Sequence, residues 1–221
     1  MKKLTEQLYE SVEKIWNGYY IHPFVKEIGE GTLELDKFRF YMVQDYLYLL
    51  DYAKVFALGI VKSKEERLMR KFASMVNNTL NSEMKIHKTY MERLGITKEE
   101  LEKTPVSLAN QSYTSYMLSV GSMEGVLELL VSILACSWSY QKIGVHLAET
   151  YPKSVEHEFY GEWVKGYSSK EYEKDNEEIL ELVNELGKDN TKEQIENLKK
   201  IFVNCSRYEA MFWDMAYKKE L

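Results

Sequence analysis

Cysteine and proline are both scarce in this 221-residue chain, which has two cysteines and three prolines. Two cysteines cannot form the disulfide framework of a small secreted domain, so we expect free thiols in a reducing, cytoplasmic setting. No apolar run approaches the about 20 residues that a membrane-spanning helix needs. The start, MKKLTEQ, has two lysines but no apolar segment behind them. The sequence therefore predicts neither a membrane span nor a secretory signal.

Positive charge is also in deficit, with 29 Lys and Arg residues against 35 Asp and Glu residues and a formal net charge of -6. A polyanion would be repelled on average, and no basic patch interleaved with aromatic residues is present. Nucleic acid is therefore not expected as a partner. A small neutral or cationic ligand is compatible with this charge.

Strand patterns are missing as well, because no segment alternates apolar and polar residues between hairpin turns. Apolar residues instead recur every three or four positions, and in 36–61 they cover more than half of the helix circumference. Such a helix must be nearly surrounded by other helices. No linker and no repeat interrupts the pattern, which predicts a single all-α domain over residues 1–221.

Helix boundaries follow from capping signals, with glycines at the expected ends. Four Ser/Thr-x-x-Glu/Gln boxes begin at Ser63, Thr97, Ser168 and Thr191. The predicted helices are 4–18, 36–62, 64–95, 98–103, 106–120, 123–150, 154–166, 169–187 and 191–218. The stretch 19–35, which contains His22-Pro23 and several glycines, is expected to connect two helices without being helical.

Two acidic residues lie within otherwise apolar or aromatic helix faces. Asp45 and Tyr48 are three residues apart and share a face, and a buried carboxylate there is costly unless it is paired or binds a ligand. The alternative is an Asp at the solvent edge of the helix. Glu209 shares a face with Cys205 and with either Phe212 or Trp213, which favours a partly buried carboxyl suited to general acid catalysis. The alternative is an ion-paired glutamate, for example with Arg207.

A cysteine and several tyrosines complete the candidate chemistry. Cys136 and Tyr140 lie at i and i+4 within ILACSWSYQKIG, where a free cysteine can equally be a small packing residue. Tyr113 and Tyr116 lie in NQSYTSYML, where an aromatic pair at helical spacing can be core, interface or substrate clamp.

Metal ligands are sparse. Glu83 with His87, and His146 with Glu149, could each supply two ligands from one helix face. The doubled Glu-x-x-His motif of a di-iron bundle is absent, so no metal site is predicted.

Taken in order, these clusters resemble the thiaminase II family, also known as TenA proteins, over nearly the whole chain. The segments that carry the resemblance are HPFVKEIGEGTL (22–33), QDYLYL (44–49), AKVFALG (53–59), NSEMKIH (81–87), SYTSYM (112–117), LACSWSYQKIG (134–144) and YEAMFWDMAYKKE (208–220). The resemblance implies a haem-oxygenase-like helical bundle that assembles as a homotetramer and uses no metal or organic cofactor.

Residue by residue, the resemblance places the family's nucleophilic cysteine at Cys136, the acidic residue of its last helix at Glu209, and the aspartate that contacts the aminopyrimidine at Asp45. The aromatic residues around the substrate ring fall on Tyr48, Tyr113, Tyr140, Tyr167 and Phe212. The GYSS context of Tyr167 departs from the family's usual glycine-rich pattern. Because some family members lack the cysteine, its presence places this chain in the thiaminase-like branch.

The resemblance implies hydrolysis of the bond between the bridging carbon of a 4-amino-2-methylpyrimidine and a leaving amine. The leaving group is the thiazolium of thiamin or the amine of 4-amino-5-aminomethyl-2-methylpyrimidine, and the expected role is thiamin salvage. Two other readings stay open at this point. One is a regulatory protein that binds a pyrimidine without turnover, and the other is a metal-dependent oxidase on the same fold.

Overall fold

Helices account for all of the regular secondary structure in the computed structural model, which describes residues 2–221 and contains no strand within that range. The α-helices are α1 (Leu4–Ile21), α2 (Pro23–Glu30), α3 (Leu35–Lys62), α4 (Glu66–Asn77), α5 (Met84–Arg93), α6 (Lys98–Lys103), α7 (Leu108–Met123), α8 (Val126–Thr150), α9 (Gly161–Tyr167), α10 (Lys170–Leu186) and α11 (Lys192–Lys218). A π-helical segment, Asn78–Glu83, joins α4 to α5, and a 3-10 helix covers Pro152–Glu156. The prediction of an all-α fold is confirmed.

The predicted non-helical connection over 19–35 is wrong in two places. Helix α1 continues to Ile21, and α2 occupies Pro23–Glu30. The His22 side chain accepts a hydrogen bond from the Phe24 backbone N–H, proline stands in the first turn, and Gly31 ends the helix with φ +70°. The residues taken as breakers are therefore the start and stop signals of a two-turn helix.

Two other predicted helices are interrupted. The segment 64–95 divides into α4, the π-helix and α5. The segment 154–166 contains only the end of the 3-10 helix and most of α9. Thr97 and Thr191 cap their helices as predicted: Thr97 accepts from the Glu100 N–H, and Thr191 and Gln194 exchange both hydrogen bonds of the box. Ser63 instead ends α3, and the cap of α10 is Ser169 rather than Ser168.

The chain divides into two compact units, with boundaries inside α8 and α11. Unit 1 comprises Met1–Leu33 and Leu130–Trp213, and unit 2 comprises Glu34–Leu129 and Asp214–Leu221. The single domain over 1–221 stays a prediction. None of the helices in residues 2–221 combines the length and apolar character required to cross a bilayer.

In unit 2, α3 is the central element and packs against α4, α5, α7 and the π-helix. This arrangement explains the wide apolar surface of its sequence, because a helix contacted from several sides must be apolar on several sides. Gly59 of α3 lies against the ring of Phe72 in α4, where an added Cβ would be 2.3 Å from a ring carbon. The close approach of these two helices therefore requires glycine at that position.

In unit 1, α1 packs against α2 and α10. The side chain of Asn184 accepts hydrogen bonds from both the backbone N–H and the hydroxyl of Thr5, which fixes the start of α1 on α10. Further along α1, the Trp16 indole donates to the Ser206 hydroxyl of α11 at 3.0 Å. These contacts tie α1 to two consecutive helices from the other end of the chain, α10 and α11.

Candidate active site

Asp45 is a buried carboxylate in α3, with only 5% of its surface exposed. Its Oδ2 lies 2.6 Å from Nε2 of His87, which is itself 6% exposed. The alternative of an Asp at the solvent edge is therefore wrong, and the expectation that a carboxylate in this apolar helix must be paired is confirmed. The partner is 42 residues away in the sequence, and the sequence analysis did not identify it.

Glu83 and His87, which follow the α4 segment, complete the surroundings of Asp45. The π-helix ends at Glu83, whose backbone carbonyl lies 3.1 Å from Nδ1 of His87. Burial raises the pKa of the half-buried Glu83 carboxyl to about 7, an effect that His87 opposes and Asp45 adds to. The Glu83/His87 spacing was the available signal for this cluster, although the sequence suggested it only as a pair of metal ligands. Among residues 2–221, no group of three or more His, Cys, Asp or Glu side chains is arranged to hold a metal ion.

Two of the predicted ring-binding tyrosines lie together in unit 2. The rings of Tyr48 and Tyr113 are 5.5 Å apart between centroids, and the Tyr48 hydroxyl lies 3.9 Å from the Met117 sulfur. Tyr52 also stacks on Tyr48, at 5.1 Å between ring centroids. Because Tyr48 follows Asp45 by one helical turn, this aromatic group and the carboxylate lie on the same part of α3.

A buried amide network holds α7 in register with α3 next to this group. The Gln44 side chain donates to the carbonyl of Pro105 and accepts from the N–H of Ser107, the residue that caps α7. Asn110 in turn donates to the Gln44 carbonyl at 2.8 Å. Gln44 adjoins Asp45 and Asn110 lies one turn before Tyr113, so the network fixes the tyrosine relative to the carboxylate.

Cys136 and Glu209 are connected in unit 1 through Tyr19, a residue that the sequence analysis did not select. Burial raises the pKa of the Tyr19 phenol well above its usual range, and the charges of Glu209 and Cys136 raise it further. Both groups are therefore within electrostatic reach of one hydroxyl, which donates a hydrogen bond to the backbone carbonyl of Ser206. Cys136 is half-buried and is not part of a disulfide.

The carboxyl of Glu209 is almost fully buried, with 2% of the residue exposed. Its predicted burial on a face with Cys205 is confirmed, because Cys205 is fully buried, and burial followed by the charge of Glu209 raises the pKa of that thiol well above its usual range. Arg207, the suggested alternative ion-pair partner, is exposed. Phe212, on the same helix as Glu209, is also buried.

Tyr140 and Tyr167 belong to an aromatic cluster in unit 1. Their ring centroids are 4.9 Å apart, and Tyr140 also contacts Trp213 at 5.0 Å and Trp163 at 5.9 Å. Helix α9 can approach α8 this closely because residue 144 is glycine, whose added Cβ would lie 2.6 Å from the Tyr167 backbone. The position of Tyr167 in α9 thus depends on a glycine of another helix, Gly144 of α8.

The structure thus brings the predicted residues together as two groups. Asp45, Tyr48 and Tyr113 form one group in unit 2, and the second group in unit 1 comprises Cys136, Glu209, Tyr140, Tyr167 and Phe212. Their catalytic and substrate-binding roles stay predictions.

Comparison with known proteins gives consistent results along the whole chain. A model of the TENA/THI-4/PQQC family matches residues 9–219. A curated relative from Helicobacter pylori, named aminopyrimidine aminohydrolase, is 48% identical over 216 residues, covering 98% of this chain and 99% of the relative. Among solved structures, the TenA homologue from P. horikoshii OT3 has a TM-score of 0.89 at 29% identity and covers 98% of this chain and 99% of its own.

The fold is similar to a more distant structure as well. A domain from Shewanella denitrificans OS217 with a heme oxygenase-like fold has a TM-score of 0.79 at 16% identity, covering 97% of this chain and 92% of its own. The helical bundle is therefore haem-oxygenase-like, as predicted.

Proposed function

Because the chain belongs to the TENA/THI-4/PQQC family, we propose that it is an aminopyrimidine aminohydrolase of thiamin salvage. It is a hydrolase that cleaves the bridging C–N bond of 4-amino-5-aminomethyl-2-methylpyrimidine or thiamin and releases 4-amino-5-hydroxymethyl-2-methylpyrimidine. The observation that carries this proposal is the 48% identity over nearly the full length of a curated relative with that name. The presence of a cysteine at position 136 and the burial of the Glu209 carboxyl support it.

The proposed reaction begins with the Cys136 thiolate, which adds to a ring carbon next to a ring nitrogen. The ring loses its aromaticity, and the displaced electron pair is taken up at a ring nitrogen that receives a proton. These electrons then expel the leaving group from the bridging carbon, and its nitrogen keeps the electron pair of the broken C–N bond. The simple amine also takes up a second proton, whereas the thiazolium of thiamin leaves as the neutral thiazole without one. Water adds to the bridging carbon and gives up a proton, the electrons return to the ring, the ring nitrogen loses the proton that it received, and the thiolate leaves. Covalent catalysis of this kind divides one difficult displacement into two easier steps.

The two acidic residues have complementary proposed roles. Glu209 is buried, and a buried carboxyl that is protonated can deliver a proton to a ring nitrogen or to the leaving amine. Asp45 contacts the exocyclic amine or a ring N–H of the pyrimidine. Tyr48, Tyr113, Tyr140, Tyr167 and Phe212 are proposed to stack on the flat ring and exclude water.

A product assay with both pyrimidine substrates tests the proposal. We expect the wild type to release the hydroxymethyl pyrimidine and the Cys136→Ser variant to lose nearly all turnover, because a hydroxyl is a much weaker nucleophile than a thiolate. Cys205→Ala is the matched control, since the second cysteine is buried and has no proposed role. Tight pyrimidine binding without any turnover, unaffected by Cys136→Ala, would instead identify a pyrimidine-binding regulatory protein.

The oligomeric state, the cellular compartment and the lack of a cofactor are assigned from the family resemblance. We propose a homotetramer that acts in the cytoplasm and uses no cofactor. The absence of a disulfide between Cys136 and Cys205 fits a reducing compartment. Comparing kcat/KM for thiamin and for the aminomethyl pyrimidine decides which of them the enzyme prefers.

A further inference from the structure

Both ring nitrogens of His87 face hydrogen-bond acceptors. Nδ1 lies 3.1 Å from the backbone carbonyl of Glu83, and Nε2 lies 2.6 Å from Oδ2 of Asp45. A backbone carbonyl can only accept, so the first contact places a proton on Nδ1. A neutral imidazole with its proton on Nδ1 carries none on Nε2. Nε2 and an ionised Asp45 oxygen would then be two hydrogen-bond acceptors facing each other.

The short Nε2–Oδ2 contact therefore requires one additional proton. Either the ring is an imidazolium beside an ionised Asp45, or a neutral ring accepts a hydrogen bond from a protonated Asp45. The charged groups acting on His87 are Asp45 from α3 and Glu83 from the π-helix. Burial alone would lower the pKa of His87, but the hydrogen bond and charge of Asp45, together with Glu83, raise it above its ordinary value. These observations favour the imidazolium with an ionised carboxylate.

We propose that His87 is a positioning residue that holds Asp45 as an oriented carboxylate and leaves Oδ1 to accept a hydrogen bond from the aminopyrimidine. This inference rests on the proposed function, in which Asp45 contacts that ring. The π-helix ends at Glu83, four residues before His87, and the His87 ring connects the Glu83 carbonyl to Asp45 of α3. A charged partner for a buried carboxylate also prevents the cost of an isolated buried charge.

Nuclear magnetic resonance of 15N-labelled histidine tests the protonation state without any turnover. We expect both ring nitrogens of His87 to carry protons at neutral pH, and we expect the ring to titrate at lower pH in Asp45→Asn. The resonance is assigned by its disappearance in His87→Gln. A single neutral tautomer of His87 in the wild type at neutral pH overturns the proposal, whether or not the protein proves to be an aminohydrolase.

Kinetics of single and double variants test whether His87 acts through Asp45. His87→Gln keeps a donor near Asp45 but carries no charge, so we expect kcat/KM for the aminomethyl pyrimidine to fall about tenfold or more, mainly through KM. In the Asp45→Asn background the same substitution should lower kcat/KM by no more than about twofold, because the effects of coupled residues are not additive.

Independent, multiplicative losses of kcat/KM, which a merely structural role predicts, overturn the proposal. His146→Gln is the control histidine and should retain wild-type kinetics. An inactive wild type counts against the proposed function and leaves the resonance experiment to decide the protonation of the pair.

Discussion

The two cysteines lie in different surroundings, and their reactivity should differ accordingly. Cys205 is fully buried, and burial with the nearby Glu209 raises the pKa of its thiol. Cys136 is half-buried and lies ten residues after Val126, the first residue of α8, too far for the helix dipole to favour a thiolate. No lysine, arginine or histidine stands three or four residues from Cys136, where a positive charge on the same helix face would favour a thiolate.

We therefore expect iodoacetamide to label Cys136 slowly in the ligand-free protein at neutral pH and to leave Cys205 unmodified. Peptide mass spectrometry over a time course measures both rates, and Cys136→Ser and Cys205→Ala assign them. Slow labelling agrees with a thiol that becomes a nucleophile only after the basic aminopyrimidine binds. Labelling of Cys136 as fast as that of an exposed low-pKa thiol contradicts this hypothesis.

Glu83 makes the stability of the protein depend on pH. Its pKa is about 7 in the folded protein, mainly because of burial, against 4.5 for an ordinary glutamate. A carboxyl with a raised pKa contributes fully to stability below the unfolded value, and this contribution is lost as pH rises through the folded value. We expect the Tm of Glu83→Gln, relative to the wild type, to rise between about pH 5 and about pH 8.

Thermal unfolding followed by circular dichroism across this pH range measures the difference. Glu92→Gln is a matched control because Glu92 is an exposed glutamate of the adjoining helix α5. A Tm difference for Glu83→Gln that stays constant with pH shows that the Glu83 carboxyl has an ordinary pKa.

At the scale of single elements, Gly144 is a position at which two helices of unit 1, α8 and α9, approach each other closely. An added Cβ would lie 2.6 Å from the Tyr167 carbonyl carbon and 2.7 Å from its Cβ, and backbone atoms cannot rotate away. We expect Gly144→Ala to destabilise the protein by about 1–3 kcal/mol through overpacking. Because Tyr167 and Tyr140 are neighbours, KM for the pyrimidine should rise as well.

Gly18→Ala provides the control, because Gly18 lies within α1 and nothing is within 4 Å of its added Cβ. Alanine is the better helix former, so this variant should be more stable by about 0.5–1 kcal/mol. Urea denaturation compares the two variants. Equal stability of Gly144→Ala and the wild type shows that α9 can move away from α8 without cost.

Sequence patterns predicted the elements well where the signals were local. Thr191 and Gln194 form the predicted box, and α6 has the predicted bounds. The π-helix was missed because an apolar period cannot distinguish a continuous helix from one that widens by a residue within one turn. The partner of Asp45 was missed because 42 residues separate it from His87, and only the packing of α5 on α3 brings the pair together.

The family resemblance supplied what periodicity could not. Burial of Glu209 follows from its apolar neighbours on one face, but a role as an acid does not, since a buried carboxyl can equally be structural. Tyr19 carried no signal of its own, because it lies in the stretch that was read as a connection. The interactions of Tyr19 with Ser206 and Glu209 depend on α11, the helix that carries both of these residues.

At the scale of the whole molecule, the exposed apolar side chains bear on assembly. Val61 and Met123 are each 80% exposed. They lie at the ends of α3 and α7, which Lys62 joins by donating hydrogen bonds to the carbonyls of Ser122 and Glu124. Highly exposed apolar residues at two helix ends that are joined in this way are candidates for a surface that another chain covers.

We expect size-exclusion chromatography with light scattering to give a mass near four times the 26.1 kDa of one chain. Val61→Lys combined with Met123→Lys should reduce this mass, because two lysines at an apolar contact lose their hydration when it closes. Ser74→Lys combined with Thr89→Lys alters two exposed polar positions and should leave the mass unchanged. A tetramer that persists in the Val61/Met123 variant excludes this patch as an interface, and a monomeric wild type contradicts the proposed assembly. The introduced lysines lie at exposed positions, so they cannot unfold a single chain by disrupting its core. A lower oligomer mass with unchanged helix content therefore shows that the contact between chains has been lost.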